Sequence, residues 1–393
     1  MTIIQPENTV FRQKAQPSPG TVMPTFEKKI PGLFHSLRIR SVTLKNRVVV
    51  SPMCTFSAED GFMNDFHLVH LGQYANYGVG LIIVEATAVL PNGRISPVCT
   101  GLWKDEHMVQ MRRIVDYIHN AGSLAGIQIG HAGRKASTPA PYTTNKTERA
   151  TITPEQGGWE DVWAPSPIKW NEGWICPHEM TIGDIATLRQ AFVDSTIRAD
   201  KVGYDVLEIH GAHGYLLNQF LSPVSNQRSD EYGGSFENRI RLPLEIVQAV
   251  RQVWPEEKPL FFRISCVEWV AEGWSIEDTV EFSKRLFSLG VDLLDCSTGG
   301  NLVGQKIPVA PGYQIPFAEK VKSEVPGLLT GAVGLITDAH QANDIIEKNQ
   351  ADIVLLGRQL LRNTSWTLDA AHDLGVDISW PTQYGYCCKR PIL

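Results

Sequence analysis

No stretch of apolar residues in this chain approaches the roughly 20 needed to cross a bilayer, and that absence argues against a membrane partner. No surplus of basic residues exists either. The net charge is −6 and the pI about 6.0, so nothing is available to grip a phosphate backbone, and nucleic acid is an unexpected partner. The seven cysteines (54, 99, 176, 266, 296, 387 and 388) are scattered and odd in number. They read as reduced thiols in a cytoplasmic protein rather than a disulfide frame. None has zinc-ligand spacing with histidine, so no metal is expected. The first residues lack the basic start and apolar core of a secretory signal. Also missing are a GxGxxG after a strand and a GxxxxGK[ST], which argues against a Rossmann dinucleotide site and a P-loop.

What remains is a strong alternation. Apolar, β-branched runs fall at 47–53, 79–89, 124–131, 205–210, 260–265, 291–297, 328–333 and 352–356. They are continuous rather than alternating, as parallel strands covered on both faces require. Helical patterns separate them at 66–77, 105–120, 181–202, 235–254, 275–289, 316–325, 338–349 and 364–374. Thr181, Ser275 and the Thr337-Asp338 pair supply capping oxygens, and Gly122, Gly203 and Gly290 close helices. Eight such repeats predict an α/β fold, a (β/α)8 TIM barrel. A doubly wound sheet is the competing architecture, but it would bring a Gly-rich first turn. The expected organisation is an N-terminal extension over 1–30, a barrel over 31–375 and a C-terminal tail over 376–393. A long insertion after strand 3 (134–180) carries four tryptophans. It reads equally as a lid or as a surface excursion packed on the barrel.

Barrel chemistry sits at the C-terminal ends of the strands. Those ends carry Cys54, Glu85, Gln128, His210, His213, Tyr215, Arg263 and Arg358. Taken singly, each has a bland reading: Cys54 as a small buried residue, Arg263 as a partner of Glu208. Together they are too polar for a stability core. Gly331-Ala-Val-Gly334 and Gly357-Arg358 add bare backbone N–H groups and a cation where barrels bind phosphate. Two imidazoles three positions apart also invite a metal reading, given low weight because no Asp or Cys completes a ligand set.

The segments LKNRVVVSPMC (44–54), GLIIVEATAVLPNGR (80–94), GIQIGHAGRKA (126–136), EIHGAHGYLLNQFLSPVSNQRSDEYGGSFENRIR (208–241), TGAVGLIT (330–337) and LLGRQLLR (355–362) resemble the Old Yellow Enzyme family of FMN-dependent ene-reductases, in particular its thermophilic-like branch. The resemblance implies FMN, with NADPH or NADH as a transient hydride donor and activated alkenes as substrates. It implies that Ser51, Pro52, Met53, Cys54 and Ala86 line the flavin, that Gln128 and Arg263 bond its pyrimidine side, and that Gly334, Gly357 and Arg358 hold its phosphate. His210 and His213 would bind the substrate carbonyl oxygen, Tyr215 would donate the proton, and Cys54 would tune the flavin rather than attack a substrate. Phe56 stands where the family usually has a substrate-contacting tyrosine. In the related branch a C-terminal arginine enters a neighbour's site. Here Tyr386 occupies that offset, with Arg390 further on, so a homodimer is an expectation but a shared pocket is not. Two rivals stay open: a flavin-binding sensor that has lost catalysis, and a barrel isomerase or aldolase using the phosphate site through Glu85, Glu208 or Lys135.

Overall fold

The computed structural model describes residues 17–24, 29–144 and 150–388; most of the expected N-terminal extension and Arg390 lie outside them. Eight parallel strands close into a barrel: β1 (Val48–Val50), β2 (Leu81–Ala88), β3 (Leu124–Gly130), β4 (Val206–Gly211), β5 (Leu260–Ser265), β6 (Leu293–Ser297), β7 (Leu329–Ala332) and β8 (Ile353–Leu356). Each strand pairs with the next, and β8 closes on β1 through Val354↔Val48 and Leu355↔Val49. The expected barrel is therefore the observed one. Almost every strand residue is buried, because β-branched and aromatic side chains alternate between the interior and the helix layer outside.

The interior changes character along the barrel axis. At the N-terminal end, Val49, Leu81, Ile83, Val206, Phe261, Leu293 and Leu355 pack together. A hairpin of Leu37–Ile39 with Val42–Leu44 plugs that end with Ile39 and Leu44. Two residues further along the same strand faces stand Glu85, Glu208, Arg263 and Asp295, all buried. The floor is dry and apolar, and the mouth is polar.

Around the barrel run α1 (Asp65–Asn76), α2 (Met108–Asn120), α3 (Ile182–Val202), α4 (Phe236–Val253), α5 (Ile276–Ser288), α6 (Ile315–Glu324), α7 (Ala339–Glu347) and α8 (Trp366–Asp373). The sequence-read caps act as expected for α3 and α5. Thr181 and Asp184 exchange hydrogen bonds, and so do Ser275 and Asp278. At α7 the cap is the carboxylate of Asp338, which accepts from Gln341 N, and not Thr337. The last expected helix differs: a short helix Arg358–Arg362 precedes it, and α8 begins only at Trp366. Asn363 accepts from Ser365 N and Oγ, which turns the chain between the two pieces. Among the described residues no helix is long and apolar enough to cross a membrane.

Candidate active site

The turn after β4 is the centre of the mouth. His210 is the fifth residue of β4, and its register partner on β5 is Arg263. The chain then enters left-handed backbone at His213 (φ 59) and Gly214 (φ 70) before Tyr215 opens the short helix Leu216–Leu221. Left-handed backbone is uncommon outside glycine and needs external support. His213 N donates to Ser265 Oγ at 2.8 Å, and Gly214 N donates to Asn218 Oδ1 at 2.7 Å. The loop after β6 presses against the turn so closely that a Cβ on Gly300 would stand 2.8 Å from His213 Cα. Glycine is the residue that permits that approach.

The turn brings three predicted residues together. The His210 and His213 rings lie 5.4 Å apart, and Tyr215 meets His210 edge to face at 5.0 Å. Burial, helped by the Arg263 and Lys135 cations, holds both imidazoles well below their usual range, so both are neutral at pH 7. Ala212 N donates to His210 Nδ1 at 3.4 Å, which leaves the ring proton on Nε2. His213 Nε2 lies 2.7 Å from Ser297 Oγ.

Beside them opens a cavity of about 360 Å³, within the usual size range of small-molecule sites. His213, Gly334, Gly357 and Arg358 line it, together with Thr298 and Gln314. Gly334 has φ 125, and Gly357 faces the Met53 thioether. Ser51 and Met53 share a smaller crevice with Glu85, and Pro52 joins them along the chain. Ala86 lines a third crevice with His210 and Tyr215. Burial, with the neighbouring Cys99 thiol and Glu85 carboxylate, pushes the Cys54 thiol well up, so it is a poor nucleophile. Phe56 lies on the far side of Tyr215, in a cavity walled by the insertion.

Beneath the mouth, Gln128 Nε2 donates to Glu208 Oε1 at 2.8 Å. Arg263 does not take Glu208 as its ion pair. Register sets Asp295 of β6 beside Arg263, and Nε comes within 2.9 Å of Asp295 Oδ2. That contact has ion-pair distance without hydrogen-bond alignment, since neither atom finds a bonding partner within the chain. Glu208 Oε2 is likewise buried and unbonded. Orphaned polar atoms clustered under a cavity call for a ligand with a polar edge, and a pyrimidine ring carried by a phosphate-bearing cofactor fits.

Several supporting residues escaped the sequence reading. Gln219 Nε2 donates to Gly214 O, and its Oε1 accepts from Arg134 N. Asn301 bonds Arg134 and Glu268, and Glu268 accepts from Ser222. Together they tie the loops after β3, β4, β5 and β6. The signal that could have found Gln219, and with it the Asn218 that holds Gly214 N, is the pair of amides inside the apolar run LLNQFL. Each isomerase candidate already holds a partner, although Glu208 keeps one oxygen unbonded. Glu85 accepts from Thr55 N and Oγ1, Glu208 holds Gln128, and Lys135 donates to His213 O and Gly300 O. Among the described residues no cluster of metal ligands forms.

The chain is 46% identical over 354 residues to an NADPH dehydrogenase of Geobacillus thermodenitrificans, covering 90% of this chain and 97% of that protein. An NADPH dehydrogenase of Halalkalibacterium halodurans is 45% identical over the same shares. Among solved structures, morphinone reductase in complex with tetrahydroNAD superposes with a TM-score of 0.70 at 26% identity, covering 90% of this chain and 93% of that one. The sequence pattern of a single family matches residues 32–376, and by that match the chain belongs to the NADH:flavin oxidoreductase / NADH oxidase family.

Proposed function

We propose that this FMN-dependent oxidoreductase reduces the carbon–carbon double bond of α,β-unsaturated carbonyl and nitro compounds. Gly334, Gly357 and Arg358 would hold the FMN phosphate, Gln128 and Arg263 its pyrimidine edge, and Ser51, Pro52, Met53, Cys54 and Ala86 the ring. When bound, FMN supplies the two-electron step, taking hydride from NADPH or NADH and passing it to the alkene.

The chain's own residues do the rest. Hydride addition to the alkene builds negative charge on the carbonyl oxygen. Neutral imidazoles still carry one N–H each, and His210 presents Nε2–H for that oxygen. Such donors are worth about 3 kcal/mol apiece in a dry site. His213 supplies the second donor by turning from Ser297. Tyr215 then gives its phenolic proton to the α-carbon, a role that requires hydrogen-bond reach.

One observation carries this reading: His210, His213 and Tyr215 converge at 5.4 and 5.0 Å beside the cavity that contains Gly334, Gly357 and Arg358. Purified protein is expected to be yellow, to bleach anaerobically with NADPH, and to recolour on adding 2-cyclohexen-1-one. A colourless protein that cannot be reconstituted with FMN overturns the proposal. Bleaching by NADPH with no recolouring by any activated alkene supports the sensor instead.

A further inference from the structure

The insertion's tryptophans divide into two pairs with different jobs. Trp163 stacks on His131 at 5.5 Å, and Trp159 donates its N–H to Asn92 O at 3.2 Å. Those two fasten the insertion to the barrel rim. Trp170 and Trp174 pack on each other instead, with ring centroids 4.7 Å apart. With Phe56, Pro139, Pro141 and Tyr215 they enclose a cavity of about 130 Å³. Tyr215 and Ile95 line both this cavity and the crevice that holds Ala86 and His210, so the two spaces meet at the proton donor.

Size and lining restrict the occupant. An apolar cavity of about 150 Å³ admits one benzene ring, so this space takes a single ring and not a polycycle. Its walls are mostly aromatic or prolyl, completed by Ile95 and by Thr138, whose hydroxyl donates to Ile95 O, and Phe56 contributes no hydroxyl. One cation stands in the wall. Lys135 Nζ is held by His213 O and Gly300 O at 2.8 and 2.9 Å, and it lies 4.9 Å over the Trp170 ring and 5.0 Å over the Tyr215 ring. A fixed ammonium among ring faces attracts another π-system and gives nothing to a saturated ring of equal volume. The Trp170 indole N–H is buried and makes no hydrogen bond within the chain, so it adds a donor for an oxygen carried on that ring.

Resting on the ene-reductase reading, the geometry points to this cavity as a subsite for an aryl ring carried by the alkene, remote from the carbonyl held at His210 and His213. Trp170 and Trp174 are the residues that set the preference. Tyr142, on the same insertion, donates its phenol to Phe56 O at 2.6 Å and ties the wall to the loop after β1.

The test compares cinnamaldehyde, 3-cyclohexylpropenal and crotonaldehyde as oxidants of the NADPH-reduced, FMN-loaded enzyme. The wild type is expected to favour the aryl over the cyclohexyl aldehyde in kcat/KM by about tenfold. Trp170→Ala lowers kcat/KM for cinnamaldehyde by about tenfold to a hundredfold, chiefly through KM, while crotonaldehyde is unchanged. Trp170→Leu, which keeps an apolar wall, removes the aryl-over-cyclohexyl preference and turns over crotonaldehyde at the wild-type rate. Equal losses for all three aldehydes, or no loss for any, overturn the subsite. If none of the three reoxidises the wild type, the ene-reductase reading fails separately. Equilibrium dialysis of cinnamaldehyde then decides the subsite: a Kd weakened tenfold or more in Trp170→Leu supports it, and an unchanged Kd overturns it.

Discussion

Tyr215 is where the two cavities, the histidine pair and the short helix after β4 meet. Its backbone carbonyl accepts from Gln219 N and its backbone N–H donates to Ala212 O, so the residue is placed by its main chain. Tyr215→Phe keeps ring packing against His210 and removes the hydroxyl that carries the proton. Stopped-flow reoxidation by 2-cyclohexen-1-one is expected to slow by about 10²- to 10⁴-fold, while reduction by NADPH stays within about twofold. Equal losses in both half-reactions would take the proton-donor role from Tyr215. At this scale the sequence was informative where chemistry is local. His210, His213 and Tyr215 lie within six positions, and a thiol, an amide and guanidiniums at strand ends could be read one by one. It was silent where the job is a hydrogen bond to a side chain far along the chain. Asn301 and Glu268 hold the site through partners on other loops, and nothing in their local sequence marks them. The bland pairing of Arg263 with Glu208 fails for a related reason: β5–β6 register, not residue type, puts Asp295 beside it.

The elements were legible because each strand is a continuous buried run and most helices announce their ends. α3 shows both signals, a Thr181–Asp184 capping box and Gly203 at φ 101. Gly203 offers a clean test, because the nearest atom to an added Cβ is Val115 Cγ1 at 3.9 Å. Gly203→Ala therefore meets no clash and pays only for left-handed backbone, a loss of about 1 to 2 kcal/mol seen as a lower denaturation midpoint. Gly183, in the first turn of the same helix, has no positive φ and an added Cβ meets only Thr181 Oγ1, at 3.5 Å. Gly183→Ala is expected to raise stability by about 0.4 to 1 kcal/mol. Two substitutions of the same kind in one helix should thus move the midpoint in opposite directions, and a shared sign would refute the conformational account. What the periodicity could not give were elements under two turns long. Leu216–Leu221 and Arg358–Arg362 are too short to show a 3.6-residue repeat, and both carry the mouth.

Across the whole molecule, a polar layer rests on an apolar floor, and the arrangement has a measurable consequence in the FMN-free protein. Glu208 and Asp295 are both buried beside one guanidinium. Burial first, then repulsion from Asp295, pushes Glu208 up to about 8 against the opposing pull of Arg263, and burial raises Asp295 as well. An acid with a raised folded pKa binds its proton more tightly in the native state. Stability is then lost as pH rises from the unfolded carboxyl value, about 4.3, towards about 8. His210 and His213 act in the opposite sense. Their depressed folded values withdraw stability as pH falls below about 6.5, so they mask the carboxyl effect there. His119, raised by its hydrogen bond to Asp205, adds a loss in the same direction as Glu208 when pH climbs past 6.5. The window that isolates Glu208 is therefore pH 6.5 to 8, read as wild type minus variant. Urea unfolding of FMN-free protein should show the stability of the wild type minus that of Glu208→Gln falling with pH across that window, by at most about 1.4 kcal/mol per pH unit for one proton; the subtraction also removes Lys45, which burial lowers to about 7 and which acts in the opposite sense. Glu208→Gln keeps the hydrogen bond with Gln128 within reach and cannot titrate, so its stability should fall less steeply. The variant should equal or exceed the wild type at pH 8, because removing an ionisable group that lacks a full set of partners relieves a burial penalty. Identical slopes in the two proteins would show that the carboxyl under the mouth is ionised throughout, and that Arg263 outweighs burial there.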